Sequence, residues 1–335
     1  MPAMLKSKKF WGIITSFLFL WLTLQNLNFE KVPSIISGLK FQYIPLMIIS
    51  LILEHLTRGI RWKIILYNHP MSLKHSYFAT VLGYFFNNIL PARAGEFIKA
   101  YYLKKKNIAP AGEAFGTVVF ERFLDGVITL GLMTFSLRHF TDNPIMKKAA
   151  LTTLIFYSLI LVAIAIMHFR RKSFERIAKY FFSLFPKRTA AFLNKTVKSF
   201  ISGMIIVANK PTIFIKAVIW SVIAWSFTLL TTWLCLEMFG FGMNFSSVTF
   251  ILVVLAIGSM IPSSPGMIGV YEWCCVLAIH KILGHSHELA ATFGLVSHTV
   301  GYVWVAIAGF IILTTENLSL AELQPENQSN PTSSN

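Results

Sequence analysis

The sequence predicts an all-α polytopic membrane protein, with about six full transmembrane helices plus two oppositely oriented re-entrant helical hairpins that form an inverted repeat. Three observations predict it. The 335 residues are 55% hydrophobic and 13% charged, with a mean hydropathy of +0.63, which is too apolar for a soluble domain of ordinary composition. Apolar runs long enough to cross a hydrocarbon core of about 30 Å recur along the whole chain. Two further runs stop at a proline and then resume.

Taken in order, the first apolar run, 10–26, follows Lys6, Lys8 and Lys9 as a signal peptide would. No small-x-small cleavage site comes after it, so it reads as an uncleaved signal anchor. The second crossing, 42–66, carries Glu54, His55 and Arg58, and a loop over 58–74 holds Arg58, Arg61, Lys63 and Lys74. An apolar helix over 76–90 ends at Pro91, after which GEFIKAYYLKKK runs into a triple lysine. Crossings follow at 114–137 and 149–168. In the basic segment 169–210, Phe174, Ile177, Ala178, Phe181, Phe182 and Phe185 repeat at helical spacing, which predicts an amphipathic linker on the inner leaflet. Then come the crossing 212–237, an apolar run 248–261 ending at Pro262, a resumed apolar segment, and the last crossing 289–313. One membrane domain over 1–315 results, with halves at 42–138 and 212–313. The polar tail 316–335 is expected to be disordered.

The two breaks match each other. Asn87-Asn88-Ile89-Leu90-Pro91-Ala92-Arg93-Ala94-Gly95 corresponds in residue type to Gly258-Ser259-Met260-Ile261-Pro262-Ser263-Ser264-Pro265-Gly266. Proline removes an N–H and clashes with the preceding turn, and glycine permits a reversal, so each reads as a hairpin turning back inside the membrane. The plainer alternative is an ordinary pair of kinked helices. Charge placement favours the hairpins, because a first hairpin returning to its own side keeps Lys104, Lys105, Lys106 and the basic loop 169–210 with the other positive loops. Both termini are then cytoplasmic, the hairpins open to opposite sides, and a site is expected where the breaks meet.

A formal charge of +16 invites a nucleic-acid reading, but the lysines and arginines crowd into loops between apolar runs. That placement points to topology and to anionic lipid as partner, and away from nucleic acid. Cys235, Cys274 and Cys275 lie in apolar segments and read as buried thiols. His280, His285 and His287 near an outer loop are not read as a metal site, His298 reads as a helix-to-helix hydrogen bond, and no cofactor is expected. No G-x-S-x-G, Walker loop or H-E-x-x-H appears, so no enzyme constellation is read.

Charges at membrane depth are costly unless they pair or line a wet cavity, which singles out a few positions. Arg93 and Glu96 flank the first break with Asn87, Asn88 and Gly95. Glu121, Arg122 and Asp125 sit in the next crossing, and Ser264, Gly266 and Glu272 mark the second break. The forked donors of Arg93 suit phosphate oxygens, and the helix starts beside the breaks add N–H groups. Glu96 and Glu272 would receive an ammonium or carry a proton. An internal salt bridge, Glu121 with Arg122 or Asp125 with Arg93, is the competing account, and an interfacial pair for Glu54 and Arg58.

N-N-I-L-P-A-R-A-G-E (87–96), V-F-E-R-F-L-D (119–125) and I-P-S-S-P-G-M-I-G-V-Y-E (261–272) together resemble the lysylphosphatidylglycerol synthase transmembrane-region family of flippase-like membrane proteins, over about residues 10–315. The resemblance implies a protein of the bacterial inner membrane that moves, or helps move, a phosphate-bearing lipid such as an aminoacylated phospholipid or a polyprenyl-phosphate-linked lipid between leaflets. It points to Pro91, Arg93, Gly95, Glu96, Glu121, Arg122, Asp125, Pro262, Gly266 and Glu272. The best-known members carry a soluble aminoacyl-transferase domain that is not read in this sequence, so synthesis of lysyl-lipid is not expected. A non-transporting scaffold for a lipid-modifying enzyme or glycosyltransferase is the alternative.

Overall fold

The computed structural model describes residues 8–25, 27–90, 93–137, 210–259, 261 and 263–318, with scattered positions between 151 and 194. The crossing expected at 149–168 and the linker 169–210 lie almost wholly outside the described residues, as do Pro91 and Pro262.

The described chain is helical throughout, and local chemistry marks most helix starts. α1 is Lys8–Leu24, and Asn28 then caps a short 3-10 turn, Phe29–Lys31, by accepting the Glu30 N–H at 3.0 Å. α2 is Val32–Ser37 and α3 is Ile44–Ile65, each with proline in its first turn, where a missing N–H breaks no helical bond. Ser72 caps α4, Leu73–Ile89, by accepting the His75 N–H. α5 is Gly95–Lys105, α6 is Ala111–Leu137, and α7 is Pro211–Met238. Asn244 caps α8, Phe245–Gly258. A 3-10 turn at Pro265–Met267 leads to α9, Val270–Cys275, which passes into a π-helical stretch, Val276–Ile282. Ser286 caps the last helix, α10, His287–Thr315.

Among the described residues, Phe41–Ile65, Pro211–Met238 and His287–Thr315 are long and apolar enough to cross a membrane, and Ile14–Leu24 and Phe245–Gly258 are shorter apolar helices. At 27 residues α6 has the length to cross, but Glu113, Glu121, Arg122 and Asp125 interrupt its hydrophobicity.

α3 and α7 pack along each other. Ser50 donates to the Phe227 carbonyl at one level and Arg61 to Ser221 at another, so the two helices run antiparallel. Each is followed by a helix–break–helix. α4 folds back on α5 so closely that a Cβ on Gly95 would overlap the Gly83 carbonyl oxygen, and a Cβ on Gly258 of α8 would overlap the Cys274 Sγ of α9. The open ends of the pairs are tied to opposite parts of the bundle. Lys74 in the first turn of α4 and Lys106 after α5 both reach Glu316 at the end of α10, whereas Thr249 of α8 receives a hydrogen bond from Ser136 near the end of α6.

The core divides in the same way. One cluster joins Trp62, Phe86, Ile98 and Tyr102 around α4 and α5, and a second joins Leu236, Ile251, Cys275 and Phe293 around α8 and α9. Cys235, Cys274 and Cys275 are free thiols within the second. Glu316 and Leu318, counted with the tail on sequence grounds, are instead held against the bundle: Glu316 pairs with two lysines and Leu318 is buried.

Candidate functional site

Arg58 and Arg61, placed by sequence in a cytoplasmic loop, lie inside α3 with 6% and 0% exposure. They project toward α6, where Glu121 and Asp125 are one turn apart and share a face. Arg61 donates Nη1 to Asp125 at 2.6 Å and Nε to Glu121 at 3.2 Å. The Trp225 indole of α7 donates to the same Asp125 oxygen at 3.1 Å. Glu54 and Arg58 pair at 2.9 Å and are buried in the bundle, where Arg58 also faces Asp125 at 3.5 Å. Lys99 of α5 completes the group with Glu121 at 2.5 Å, and its ammonium lies 4.2 Å from the centre of the Trp62 ring.

Arg122 turns toward the first break, with Nη2 3.2 Å from Asp125 and Nε 3.6 Å from Glu96. The four carboxylates Glu54, Glu96, Glu121 and Asp125 thus face the four cations Arg58, Arg61, Lys99 and Arg122. Such a network is tolerated in a low-dielectric interior because each charge meets an opposite one at short range. Between these helices lies a cavity of about 10 Å³, room for about one water, lined by Arg58, Tyr84, Asn87, Glu96, Lys99 and Arg122 among others.

Arg93 stands outside this balance. It is exposed, adopts φ 54°, and makes no ion pair among the described residues, with Arg122, Glu96, Tyr84 and Asp125 as its electrostatic neighbours. The buried Nε of Arg122 likewise finds no hydrogen-bond acceptor among the described residues. Asn87 accepts the Gly95 N–H at 2.9 Å and so starts α5. The two glycines aligned by sequence act differently. Gly266 turns at φ 69°, whereas Gly95 is the first residue of a helix and is small because Gly83 lies against it; in the first break Arg93 itself takes the left-handed conformation.

The breaks come together. Tyr302 of α10 donates its hydroxyl to the Asn88 carbonyl at 2.8 Å, and a Cβ on Gly266 would press on the Tyr302 ring and stand 3.6 Å from that carbonyl oxygen. Ser264 donates its backbone N–H to Ser16 of α1. Glu272 is buried and both its oxygens are engaged: one accepts the Gly269 N–H at 2.7 Å, capping α9, and the other meets His298 Nδ1 at 2.6 Å. His298 therefore joins α10 to α9 and stacks on Tyr271. Asn87, Glu96, Glu121, Arg122 and Asp125 gather at the first break, while Glu272 sits in a separate cluster beyond the second. Sequence reasoning passed over Arg61, Lys99, Trp225 and Tyr302 as partners; the signal for Arg61 and Lys99 was a charge flanked by apolar residues.

His280 and His287 approach each other, but His280 is bonded to the His285 carbonyl and His287 to the Thr23 carbonyl. Among the described residues no group of three His, Cys, Asp or Glu side chains is arranged to hold a metal.

Comparison with known proteins covers the whole bundle. The profile of the family described as "Lysylphosphatidylglycerol synthase TM region" matches residues 9–309. A UPF0104 membrane protein of Methanocaldococcus jannaschii is 25% identical over 90% of this chain and 93% of its own length. Another, of Pyrococcus horikoshii, is 21% identical over 93% of this chain and 98% of its own. A third, of Methanothermobacter thermautotrophicus, is 21% identical over 74% and 77%. No solved structure matches this chain. The chain is a membrane protein of the lysylphosphatidylglycerol synthase transmembrane-region family, the family to which these UPF0104 relatives also belong.

Proposed function

We propose that this protein translocates a phosphate-bearing lipid headgroup across the membrane at the junction of the two helix breaks. The observation that carries the reading is Arg93. Eight buried or half-buried charges close by are matched to one another, whereas Arg93 is exposed and makes no ion pair among the described residues, beside an Arg122 Nε that finds no hydrogen-bond acceptor among them. A phosphate would supply acceptors to both guanidinium groups. The neighbouring Glu96 offers a carboxylate to a cationic substituent such as an aminoacyl ammonium.

In this reading the α4–α5 and α8–α9 pairs are re-entrant hairpins entering from opposite faces, with both termini cytoplasmic in a plasma membrane. That the membrane is a bacterial inner membrane rests on the family resemblance, the relatives above being archaeal. The antiparallel α3 and α7, the meeting of Asn88 with Gly266, and the opposed open ends of the two pairs support an inverted repeat with its site between the breaks. Headgroup passage is a conformational step of the bundle and needs no covalent chemistry from these residues.

Arg93→Gly separates this role from a structural one. A non-glycine residue in the left-handed region costs about 1 kcal/mol, so the variant should be as stable as the parent or slightly more so. It should nevertheless lose leaflet exchange of fluorescent anionic or aminoacylated lipids in proteoliposomes. Exchange at the parental rate in Arg93→Gly would overturn the assignment.

A further inference from the structure

The charged network is not the roomiest part of the molecule. A groove of about 920 Å³ lies between the last turns of α3, the segment following it, and the first turns of α7. Its inner wall is apolar, with Ile60, Ile64, Met71 and Ile213, and Lys63 and Lys216 stand along it. Both lysines are exposed, and neither makes an ion pair among the described residues. At the head of α7, Lys210 lies over the Tyr67 ring with its ammonium 4.3 Å from the ring centre, adding a third positive charge at this end.

The helices that build the groove give its depth in the bilayer. α3 and α7 are antiparallel candidate spans, and Ile65 and Ala217 belong to one buried cluster, so the end of one and the start of the other sit at the same edge of the hydrocarbon. At that edge lysines stand at headgroup level while isoleucines face acyl chains. A soluble anion would meet the lysines and leave the apolar wall bare. A lipid with an anionic head satisfies both.

We propose that this groove holds one anionic phospholipid, its phosphate at Lys63 and Lys216 and an acyl chain along Ile60, Ile64 and Ile213. It is separate from the Arg93 site and shares no lining residue with the cavity there. A lipid seated here braces α3 against α7, the pair that carries Arg58, Arg61 and Trp225.

The test is native mass spectrometry of the purified full chain with phosphatidylglycerol, with phosphatidylcholine of the same acyl chains, and with glycerol phosphate as a headgroup without tails. One phosphatidylglycerol should be retained in preference to phosphatidylcholine, and glycerol phosphate should not displace it. Lys63→Ala/Lys216→Ala should weaken retention about 30-fold, since each interfacial lysine contributes roughly a factor of five. Lys281→Ala, an exposed lysine that lines neither this groove nor the cavity near Arg93, should leave retention unchanged. As a second readout, phosphatidylglycerol should raise the melting temperature of the parent and of Lys281→Ala but not of the double-lysine variant. Equal retention of the two lipids, full retention in the double-lysine variant, or displacement by glycerol phosphate would overturn the proposal. Loss of the lipid in Arg93→Gly would assign it to the hairpin junction and overturn the groove.

Discussion

Asp125 is the acceptor on which the buried network turns, and its replacement tests the electrostatic account most directly. Its oxygens receive Arg61 at 2.6 Å, Trp225 at 3.1 Å, Arg122 at 3.2 Å and Arg58 at 3.5 Å. At an effective dielectric of about 20, one such charge contact near 4 Å is worth about 4 kcal/mol gross, and removing Asp125 also removes its own desolvation penalty. The larger effect falls on what is left behind. Arg61 has no exposed surface and would keep, besides its hydrogen bond to Ser221, only Glu121 as a counter-charge, which Lys99 already engages. Breaking a buried pair in this way costs about 3–5 kcal/mol. Asp125→Leu should therefore lower the melting temperature in detergent by roughly 10 °C, followed by size-exclusion chromatography after heating. Asp125→Leu with Arg61→Met, which replaces both partners by apolar groups, should recover a substantial part of that loss. A melting temperature unchanged in Asp125→Leu, or a double variant no better than the sum of its parts, would refute the reasoning.

Gly95→Ala should destabilise by about 3 kcal/mol, because the added methyl meets the Gly83 backbone and not a movable side chain; Gly131→Ala, with nothing within 4 Å of its Cβ, should be neutral or gain up to about 1 kcal/mol from helix propensity, and thermal melts of the two would check the contrast. Glu316 lies just beyond the last span. Burial alone would raise its carboxyl, but hydrogen bonds from Lys106 and Lys74 outweigh that and hold it at about 2, below its ordinary 4.5. A carboxyl depressed in the folded state stabilises fully above about pH 4.5 and loses that contribution as the pH falls toward 2, so Glu316→Gln should flatten this part of a stability-against-pH curve and leave the acid end unchanged.

The membrane class, the helical character, the two interrupted segments and the unusual position of Arg93 were all legible in the linear sequence, because each rests on a local property: the length of an apolar run, the placement of proline and glycine, or a charge where hydrocarbon should be. The caps at Ser72, Asn244 and Ser286, which the structure shows, rest on equally local chemistry, since a cap is decided within three residues. The partners of the charges were not legible. Arg61 lies 64 residues from Asp125, Lys99 lies 22 from Glu121, and His298 lies 26 from Glu272. Spacing along a helix says which face a side chain occupies, and it is silent on which helix that face will meet. For that reason Arg58 and Arg61 looked like loop charges on sequence grounds and turn out to be buried counter-ions.

The same division separates the two breaks. Composition alone made them equivalent, and packing made them different, with Gly95 selected by the backbone of Gly83 and Gly266 by its own left-handed turn. By itself the sequence determined that this chain resides in a membrane and where its helices are interrupted, since the solvent preference of each segment is written in that segment. Only the tertiary structure decided which of the buried charges neutralise one another and that Arg93 stands outside that group, because ion pairing in a low-dielectric interior depends on distances of a few ångströms that helix packing alone sets.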